Sequence, residues 1–255
     1  MLILLPPSEG KASPRRGKSL DLAALSAPEL TDARRTVLDA LVTLCRDQDP
    51  AGAAAALGLG STQIGEVARN AALYDAATAR ADQIYTGVLY DALDLVGIDA
   101  AARRRATRML LITSSVFGVV RPGDRIPSYR LAGGVSLPGL GPVAAHWRRH
   151  LPATMEQLAG KGLVIDLRSS TYAAFWRPSA ELADRVVTMR VLHEQNGKRS
   201  VVSHFNKATK GRLVRALLES GESPKRVDGF VELLGDLGWS VEREGNRLDV
   251  IVSEI

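Results

Sequence analysis

The sequence predicts a single domain over residues 1–255, of the α+β or mixed α/β class, in which helices flank a mixed sheet. Short apolar runs typical of strands recur along the chain, and amphipathic helical patterns lie between them. The two kinds of segment do not alternate strictly, which argues against a doubly wound parallel sheet. A chain of 255 residues is also long enough to bury a large hydrophobic core.

The predicted strands are runs rich in Val, Ile and Leu that end at polar or glycine-containing segments. In chain order they cover residues 1–5, 109–113, 163–167, 186–192, 200–205, 239–242 and 247–252. The last two are separated by a short polar segment that contains Gly245 and Asn246. Because these residue types suit tight turns, the pair is predicted to form a hairpin.

The predicted helices have apolar residues at spacings of three and four. They cover residues 28–46, 62–83, 142–158, 207–219 and 224–237. The last is expected to begin at Pro224 with Ser223 as its N-cap, because serine caps helices and proline fits the first helical position. Residues 51–61 are predicted to be a connector rich in Ala and Gly. Residues 131–141 are predicted to be an irregular loop, because they hold several glycines and a proline.

The composition indicates a soluble globular protein, since hydrophobic residues make up 45% and charged residues 24% of the chain. Its formal net charge of +5 slightly favours anionic partners but is far below that of a histone-like protein. The one cysteine, Cys45, excludes an intramolecular disulfide and is typical of a buried thiol in a reducing cytoplasm. We find no signal-peptide pattern and no apolar stretch long enough to span a membrane, so we expect a cytoplasmic protein without membrane contact. The oligomeric state stays open, with a monomer as one option.

The sequence lacks the motifs of several common cofactor-binding, catalytic and metal sites. Neither the glycine-rich fingerprint of dinucleotide-binding folds nor a Walker A loop occurs, and no serine has a recognisable histidine and acid partner. His146 and His150 are spaced to share one helix face, but the arginines between them would repel a metal ion. His193 and His204 complete no convincing ligand set for iron. We therefore predict no cofactor and no metal site.

Two segments in the first half of the chain place charged residues or glycine after apolar runs. In "MLILLPPSEGK" the first strand runs into prolines and ends at Lys11, which is either solvated or aimed at a ligand. In "SSVFGVVRP" Gly118 would allow a close backbone approach, while Arg121 and the later Arg130 bring guanidinium donors. A hairpin that docks a phosphate and a plain turn with two solvated arginines explain this second segment equally well.

Two further segments lie in the second half. "VIDLRSSTY" follows a predicted strand, so Asp166, Ser169 and Tyr172 lie at a sheet edge where ligands often bind, although the serines could instead cap a helix. In "NKATKGRLVR" Lys210 points toward the apolar stripe of a helix, so it either meets an anion or reaches solvent along that stripe. Arg215 lies beside the stripe and either flanks the same cleft or is a surface charge.

These segments, with "YTGVLYDAL" at residues 85–93, occur in an order and spacing that resemble the YaaA family of peroxide stress proteins. The resemblance covers nearly the whole chain and rests on five motifs, the others being "MLILLPPSEGK", "SSVFGVVRPGDRIPSYRL", "VIDLRSSTY" and "NGKRSVVSHFNKATKGRLVR". It implies a cytoplasmic protein with a mixed α/β fold, a positively charged cleft and a helix-hairpin-helix-like element. It also implies binding of duplex or distorted DNA and protection from hydrogen peroxide through lower free iron, without a defined reaction.

In this chain the resemblance implies a hairpin at residues 116–122 and a cleft that is lined by cationic and polar side chains. The candidate residues for binding nucleic acid or phosphate are Lys11, Gly118, Arg121, Tyr129, Arg130, Ser169, Lys207, Lys210 and Arg215. The chain departs from the family pattern in its longer opening loop and at Thr171, where an acidic residue usually precedes the tyrosine. A replacement of that acidic group by Glu9 is a hypothesis.

Two functions stay open for these residues. A DNA-binding stress protein would contact the phosphates of DNA, independently of base sequence and with strong salt dependence. An enzyme acting on a nucleotide or nucleic-acid component would instead use a pocket with Lys11, Asp166 and Tyr172 as catalytic candidates, in which burial shifts a pKa toward neutrality. A closed pocket that holds Lys11 and Asp166 together favours the enzyme, whereas an open basic groove favours DNA or another phosphate-bearing anion.

Overall fold

The computed structural model describes residues 1–253, and the side chains of all of these except Ser203 and His204. The strands in this range are β1 (Leu2–Leu5), β2 (Thr78–Arg80), β3 (Leu110–Ser114), β4 (Gly118–Val120), β5 (Arg125–Pro127), β6 (Ser136–Leu137), β7 (Gly141–Pro142), β8 (Val164–Asp166), β9 (Val186–Gln195), β10 (Lys198–Ser200), β11 (Ser240–Glu244) and β12 (Arg247–Val252).

Helices connect most of these strands. They are α1 (Thr31–Asp47), α2 (Pro50–Ala56), α3 (Gly65–Ala71), α4 (Ala81–Ile84), α5 (Val88–Leu93), α6 (Ala100–Met109), α7 (Val143–Ala159), α8 (Ser170–Ala173), α9 (Ala180–Ala183), α10 (Ser203–Ser220) and α11 (Val227–Asp236), with 3₁₀ turns at Pro28–Leu30 and Ser61–Gln63. Within residues 1–253, none of these helices has both the length and the apolar character that crossing a membrane requires.

The described part of the chain contains one main sheet of eight strands, in the order β11-β12-β9-β8-β1-β3-β4, with β10 paired to β9. β1 lies between β3 and β8 and is parallel to both. β9 and β12 continue the parallel part, whereas β4 and β11 are antiparallel to their neighbours. Two small antiparallel ladders, β2 with β5 and β6 with β7, lie outside this sheet.

The central strands are apolar along most of their length. Every residue of β1, Leu-Ile-Leu-Leu, is buried, as is every residue of β3 and β8. Continuous apolar runs of this kind are typical of parallel strands that are covered on both faces. α6 packs against β1 and β3, and α10 packs against β9 and α5. The protein is therefore an α/β domain with a mixed sheet flanked by helices, as the sequence predicts.

The parallel centre brings three loops to one edge of the sheet. Leu5 pairs with Ile112 of β3, and Leu4 pairs with Asp166 of β8, so the carboxyl ends of the three strands are nearly level. Residues 6–11, 115–117 and 167–172 therefore leave the sheet side by side. This carboxyl edge is where ligands bind in many open α/β sheets.

One close helix contact forms a wall above this edge. α5 and α10 approach so closely that a Cβ at Gly211 would collide with the Leu89 carbonyl of α5. Glycine at this position allows the two backbones to touch. The contact fixes α10, and with it Lys207, beside the segment that carries Leu89.

Most predicted elements are confirmed, including four of the strands near their predicted bounds and the β11–β12 hairpin. The predicted strand at 200–205 is wrong, because α10 already begins at Ser203. The predicted helix at 62–83 is confirmed only over α3 and the first residues of α4, and it is wrong between them. Thr78 there bonds through its amide and its hydroxyl to the Lys18 carbonyl, and residues 78–80 form β2.

Two helix starts also differ from the prediction. The last helix starts at Val227, so Ser223 does not cap it, and the Ser223 hydroxyl instead accepts a hydrogen bond from the amino group of Met1 at 3.4 Å. The predicted connector at 51–61 contains most of α2, which Asp49 caps through the amides of the first turn.

Candidate functional site

A cavity of about 390 Å³ opens at the carboxyl edge of the sheet, beside the loop that follows β1. It is lined by Pro6, Pro7, Ser8, Glu9, Gly10, Lys11, Thr86, Gly87, Val88, Leu89, Tyr90, Arg130, Leu131, Ala132, Ser169, Tyr172 and Lys207. We call it the Lys11 cavity. Of the predicted site residues it brings together Lys11, Arg130, Ser169, Tyr172 and Lys207.

The loop from Pro6 to Lys11 is held by the segment around α5. The Ser8 hydroxyl accepts a hydrogen bond from the Thr86 amide at 3.1 Å, and the Pro6 carbonyl accepts one from the Tyr90 hydroxyl at 2.7 Å. The backbone of Lys11 also forms an isolated β-bridge with this segment. The 85–93 motif therefore fixes the loop that carries Lys11.

The amino group of Lys11 lies in an aromatic and poorly hydrated environment. Its Nζ donates a hydrogen bond to the Ser8 carbonyl at 2.7 Å and lies 4.3 Å from the centroid of the Tyr129 ring and 5.5 Å from that of Tyr85. Burial lowers the pKa of Lys11 to about 7, and the nearby charge of Arg130 contributes to the decrease, while two carboxylates oppose it. Lys11 can therefore exchange a proton near neutral pH.

A hydrogen-bonded group of hydroxyls lies beneath Lys11. The Tyr129 hydroxyl is 2.9 Å from that of Tyr85 and 2.8 Å from that of Ser114, and Ser114 in turn accepts a hydrogen bond from the Phe117 amide at 3.0 Å. Burial raises the pKa of both tyrosines, so they stay neutral. Tyr129, a predicted phosphate ligand, therefore presents its ring to Lys11, and its hydroxyl is engaged below the cavity.

Arg130 is fixed at the rim of the cavity by two partners. Its Nη1 donates to the Glu9 carbonyl and its Nη2 to the Glu9 carboxylate, both at 3.1 Å. The fully buried Asn70 bonds to the backbone of Arg130 on both sides, accepting from the amide at 2.9 Å and donating to the carbonyl at 2.8 Å. Sequence reasoning missed Asn70, because an asparagine within a predicted helix gives no sign of such a partner.

Asp166 does not line the cavity. It forms a buried ion pair with Arg168, whose Nε and Nη2 donate to the two carboxylate oxygens at 2.9 and 2.7 Å. Arg168 also donates to the carbonyls of Tyr172 and Trp176, each at 3.1 Å. The prediction that Asp166 shares a pocket with Lys11 is therefore wrong. The pair instead supports the segment that carries Ser169 and Tyr172.

Ser169 and Tyr172 come after β8 in the chain and form one wall of the cavity. Ser169 directly precedes α8, and its carbonyl accepts the Tyr172 amide at 3.0 Å, but its hydroxyl makes no cap hydrogen bond, so the predicted helix cap by this serine side chain is not confirmed. A Cβ at Gly133 would lie 2.9 Å from the Tyr172 ring, so that ring packs closely on the backbone. Burial raises the pKa of Tyr172, and the Glu9 carboxylate adds to the increase. The replacement of the family's acidic group by Glu9 stays a hypothesis.

The three cations of α10 that were predicted as site residues have different environments. Lys207 is exposed and lines the cavity. Lys210 points inward, as predicted, and its Nζ donates to the Leu167 carbonyl at 3.0 Å, but it lies outside the cavity lining. Arg215 lies about two turns further along the helix and forms ion pairs with Asp94 and Glu219. The prediction that Arg215 flanks the cleft is wrong, because its guanidinium is already paired elsewhere.

The segment predicted as a phosphate-docking hairpin is buried. Residues 114–120 form the tight β3–β4 turn, and Gly118, with a φ of +71°, packs on Trp147, where a Cβ would lie 2.7 Å from the ring. The carbonyls of Phe117 and Val119 accept hydrogen bonds from the buried Arg34 at 3.0 and 2.9 Å. The predicted phosphate contact at Gly118 is therefore wrong, and the turn forms no helix-hairpin-helix element.

Arg121 lies at the opposite end of the sheet from the Lys11 cavity, near the amino ends of the parallel strands. β4 runs antiparallel to β3, with Gly118 opposite Ser114 and Val120 opposite Ile112, so the chain returns toward the start of β3. There Arg121 donates to the carbonyls of α6 residues Thr107 and Arg108 at 3.1 and 2.6 Å. Arg121 is thus a ligand of a helix C-terminus, and its predicted place in the cleft is wrong.

The histidines form no metal site among the residues that the structure describes. The rings of His146 and His150 lie 4.6 Å apart, but His146 is buried and its Nε2 contacts the Ala33 carbonyl at 3.0 Å. No group of three or more His, Cys, Asp or Glu side chains in the described residues could hold a metal ion. The side chain of His204, the fourth histidine considered for iron, lies outside the described residues.

Comparison with known proteins identifies the family. A sequence profile described as peroxide stress protein YaaA matches residues 1–242. The chain belongs to this family. A UPF0246 protein of Streptomyces coelicolor is 54% identical to the chain, with 100% of each protein covered, and one of Corynebacterium efficiens is 39% identical, with 98% of each covered. Membership of the YaaA family supports a role for this protein in peroxide stress.

Proposed function

We propose that the protein contributes to peroxide resistance by binding DNA, or another nucleotide-containing phosphate, at the Lys11 cavity. The observation that supports this most directly is the convergence of Lys11, Arg130 and Lys207 on one cavity. Arg130 suits a phosphate because its guanidinium is planar and already oriented, and Lys207 adds an exposed ammonium group. The Ser169 hydroxyl, which lines the cavity, offers a neutral donor nearby.

The size of the cavity favours one nucleotide unit over a long stretch of duplex. Cavities of roughly 300–1,000 Å³ bind molecules of nucleotide size. In the neighbouring depression Asp82 and Asp94 hold the guanidinium groups of Arg80 and Arg215, so these two arginines are less available to a continuous phosphate backbone. We therefore propose that distorted DNA, in which one nucleotide is unstacked, binds better than regular duplex.

The test is the binding of labelled oligonucleotides, measured by fluorescence anisotropy over a range of salt concentrations. With Arg130 and Lys207 as the phosphate contacts, the slope of log K against log salt is expected to be about −1.8 for duplex, at roughly 0.9 per contact. A duplex with an unpaired bubble is expected to bind more tightly than a fully paired one of the same length.

α10 offers a matched control for this experiment. Lys207→Ala is expected to reduce the magnitude of the slope by about 0.9, because it removes one phosphate contact. Arg212→Ala removes the same charge from an exposed position of the same helix that lies outside the cavity lining, and should leave the slope unchanged. Equal effects of the two substitutions would contradict binding at the Lys11 cavity.

The cellular role can be tested with the same pair of variants. The proposal assigns the protein to the cytoplasm, where DNA is accessible and a lone buried thiol such as Cys45 stays reduced. Any effect on free iron is indirect in this proposal. Lys207→Ala should lower survival after hydrogen peroxide exposure in cells that carry it as the only copy, whereas Arg212→Ala should not.

One observation favours a second function, an enzyme that acts on a nucleotide. A lysine with a pKa of about 7 can donate or accept a proton during turnover. Lys11 and Tyr172 stay candidates for this work, whereas Asp166 does not, because Arg168 occupies it. Chromatography of nucleotides incubated with the protein would reveal turnover, and an unchanged nucleotide pool would reject this function.

A further inference from the structure

Among Lys11, Lys207 and Lys210, it is Lys11 whose amino group combines burial with a place on the cavity wall. Lys207 lines the cavity but is exposed, and the Nζ of Lys210 is bound to the Leu167 carbonyl outside it. The Nζ of Lys11 meets one backbone carbonyl and two aromatic rings. In the described part of the chain it forms no ion pair with a carboxylate, since Arg130 holds that of the neighbouring Glu9.

Such an environment favours the uncharged amine. Burial disfavours the ammonium form, and an ion pair that would restore it is absent from the described residues around Nζ. An uncharged lysine amine has a free electron pair and is the form that attacks carbonyl carbon. The hydrogen bond to the Ser8 carbonyl holds the amine at the cavity wall, where a bound molecule would meet it.

We infer that Lys11 is a nucleophilic amine that forms an imine with the aldehyde carbon of a phosphorylated sugar bound in the Lys11 cavity. This inference rests on the proposed function, because Arg130 and Lys207 are the groups that would hold the phosphate. A phosphorylated sugar with a free aldehyde arises in DNA at an abasic nucleotide and also occurs as a free sugar phosphate. Both present the same two groups, a phosphate and an open-chain aldehyde, to the cavity.

The reaction is a condensation without net oxidation or reduction. The electron pair of Nζ forms a bond to the aldehyde carbon, and the carbonyl π electrons move to the oxygen, which takes up one proton that the nitrogen releases. The resulting carbinolamine loses that oxygen as water, with the second proton also coming from the nitrogen. One aldehyde and one amine thus give one imine and one water molecule.

The environment also predicts selectivity among the lysines. With a pKa of about 7, close to half of Lys11 is uncharged at neutral pH. A solvated lysine with a pKa near 10.4 is uncharged in only about one molecule in a thousand or fewer at that pH. Imine formation at neutral pH should therefore occur at Lys11 far more than at the exposed lysines.

The test is reductive trapping of the full-length protein. The protein is incubated with 2-deoxyribose 5-phosphate, or with an oligonucleotide that carries one abasic site, in the presence of sodium cyanoborohydride. The hydride converts an imine into a stable secondary amine, which peptide mass spectrometry locates. We expect one adduct, on Lys11, at a level about a hundredfold or more above that of any exposed lysine at neutral pH.

Variants and pH test the chemistry itself. Lys11→Arg keeps a positive charge but cannot form this imine, so trapping should be lost, whereas Lys225→Arg, outside the cavity lining, should trap as the wild type does. The trapped fraction should rise with pH through about 7 in the wild type. Adducts spread over surface lysines, or unchanged trapping in Lys11→Arg, would overturn the inference.

A parallel measurement separates this inference from the proposed function. An oligonucleotide with a tetrahydrofuran abasic analogue binds without an aldehyde, so anisotropy with it reports binding alone. Binding of the analogue without trapping of the aldehyde would reject the imine and retain the proposed function. Trapping of 2-deoxyribose 5-phosphate alone, without oligonucleotide binding, would support the imine with a free sugar phosphate as its source and reject DNA as the ligand. A failure of both measurements would reject both.

Discussion

The Nζ atom of Lys11 lies 4.3 Å from the centroid of the Tyr129 ring, with a backbone carbonyl as its hydrogen-bond partner. An aromatic face attracts an ammonium ion by about 0.5–2 kcal/mol, which offsets only part of the cost of removing that charge from water. The pKa of Lys11 therefore falls to about 7. Its charge can change under conditions in which solvated lysines stay protonated.

Stability should depend on pH through Lys11. In the folded protein its pKa is about 7, whereas in the unfolded chain it is about 10.4. Between these values the unfolded chain binds a proton that the folded protein does not, so the free energy of unfolding should rise as pH increases from about 7 to about 10. Below about pH 7 both states are protonated, and the contribution of Lys11 is constant and unfavourable. Urea unfolding at a series of pH values measures this rise.

Substitution isolates the contribution of Lys11 from those of other titrating groups. In Lys11→Met the free energy of unfolding should rise less with pH than in the wild type, because the contribution of Lys11 is missing. Its gain in stability over the wild type should be largest below about pH 7, where the buried lysine is charged. Lys161→Met, at an exposed position, should keep the wild-type pH dependence. The same rise in Lys11→Met as in the wild type would show that Lys11 is not desolvated.

Glu9 should weaken anion binding, because it occupies Arg130. Its side chain is 82% exposed and pairs with the Arg130 guanidinium at 3.1 Å. An exposed ion pair contributes about 0–1 kcal/mol, so Glu9→Gln should raise the affinity for a single-stranded oligonucleotide by up to about fivefold. Anisotropy of a labelled oligonucleotide checks this change.

A remote acidic residue provides the control for Glu9. Glu181→Gln changes the net charge equally at an exposed position outside the cavity lining and should alter the affinity little. An equal gain from both substitutions would mean that net charge, and not release of Arg130, determines binding.

The sequence predicts the central sheet well because its information there is local. The apolar run of β1 and the runs of β3 and β8 each identify a buried strand without reference to the rest of the chain. The helix predicted at residues 62–83 fails beyond α3 because Thr78 bonds to Lys18, which is distant in sequence. The periodicity of apolar residues cannot predict a strand that is stabilised by a hydrogen bond to a carbonyl far away in the sequence.

Part of the candidate site was predictable because several of its residues directly follow strands that the sequence identifies. Lys11, Ser169 and Tyr172 lie in segments that directly follow parallel strands, and the carboxyl ends of parallel strands bring such segments together at one end of the sheet. Arg121 comes after an antiparallel strand and therefore lies at the other end, a difference that depends on strand direction and not on residue type. Asn70 was missed because its role depends on its contact with Arg130, 60 positions away in the sequence.

The ion pair of Asp166 and Arg168 should be critical for the wall that carries Ser169. Arg168→Met leaves a buried carboxylate without its partner, and removal of one member of a buried pair costs about 3–5 kcal/mol. Arg35→Met, in the exposed pair with Asp32, should cost less than about 1 kcal/mol. Urea unfolding measures both.

The double variant Asp166→Asn with Arg168→Met should recover part of the lost stability, because it leaves no unpaired carboxylate. No recovery would indicate that the hydrogen bonds of Arg168 to the Tyr172 and Trp176 carbonyls cause most of the loss.

Gly118 should be required by its contact with Trp147 and by its backbone conformation. A Cβ there would lie 2.7 Å from the indole ring, at a φ of +71° that costs other residues about 1–2 kcal/mol. Overpacking of a buried site adds about 1–3 kcal/mol, so Gly118→Ala should lower the free energy of unfolding by about 2–5 kcal/mol in total. Gly139 has a φ of +74°, and a Cβ added there would meet no described atom within 4 Å, so Gly139→Ala should cost only the conformational part. The difference between the two variants in urea unfolding measures the contact with Trp147, and equal losses would show that the indole moves aside without cost.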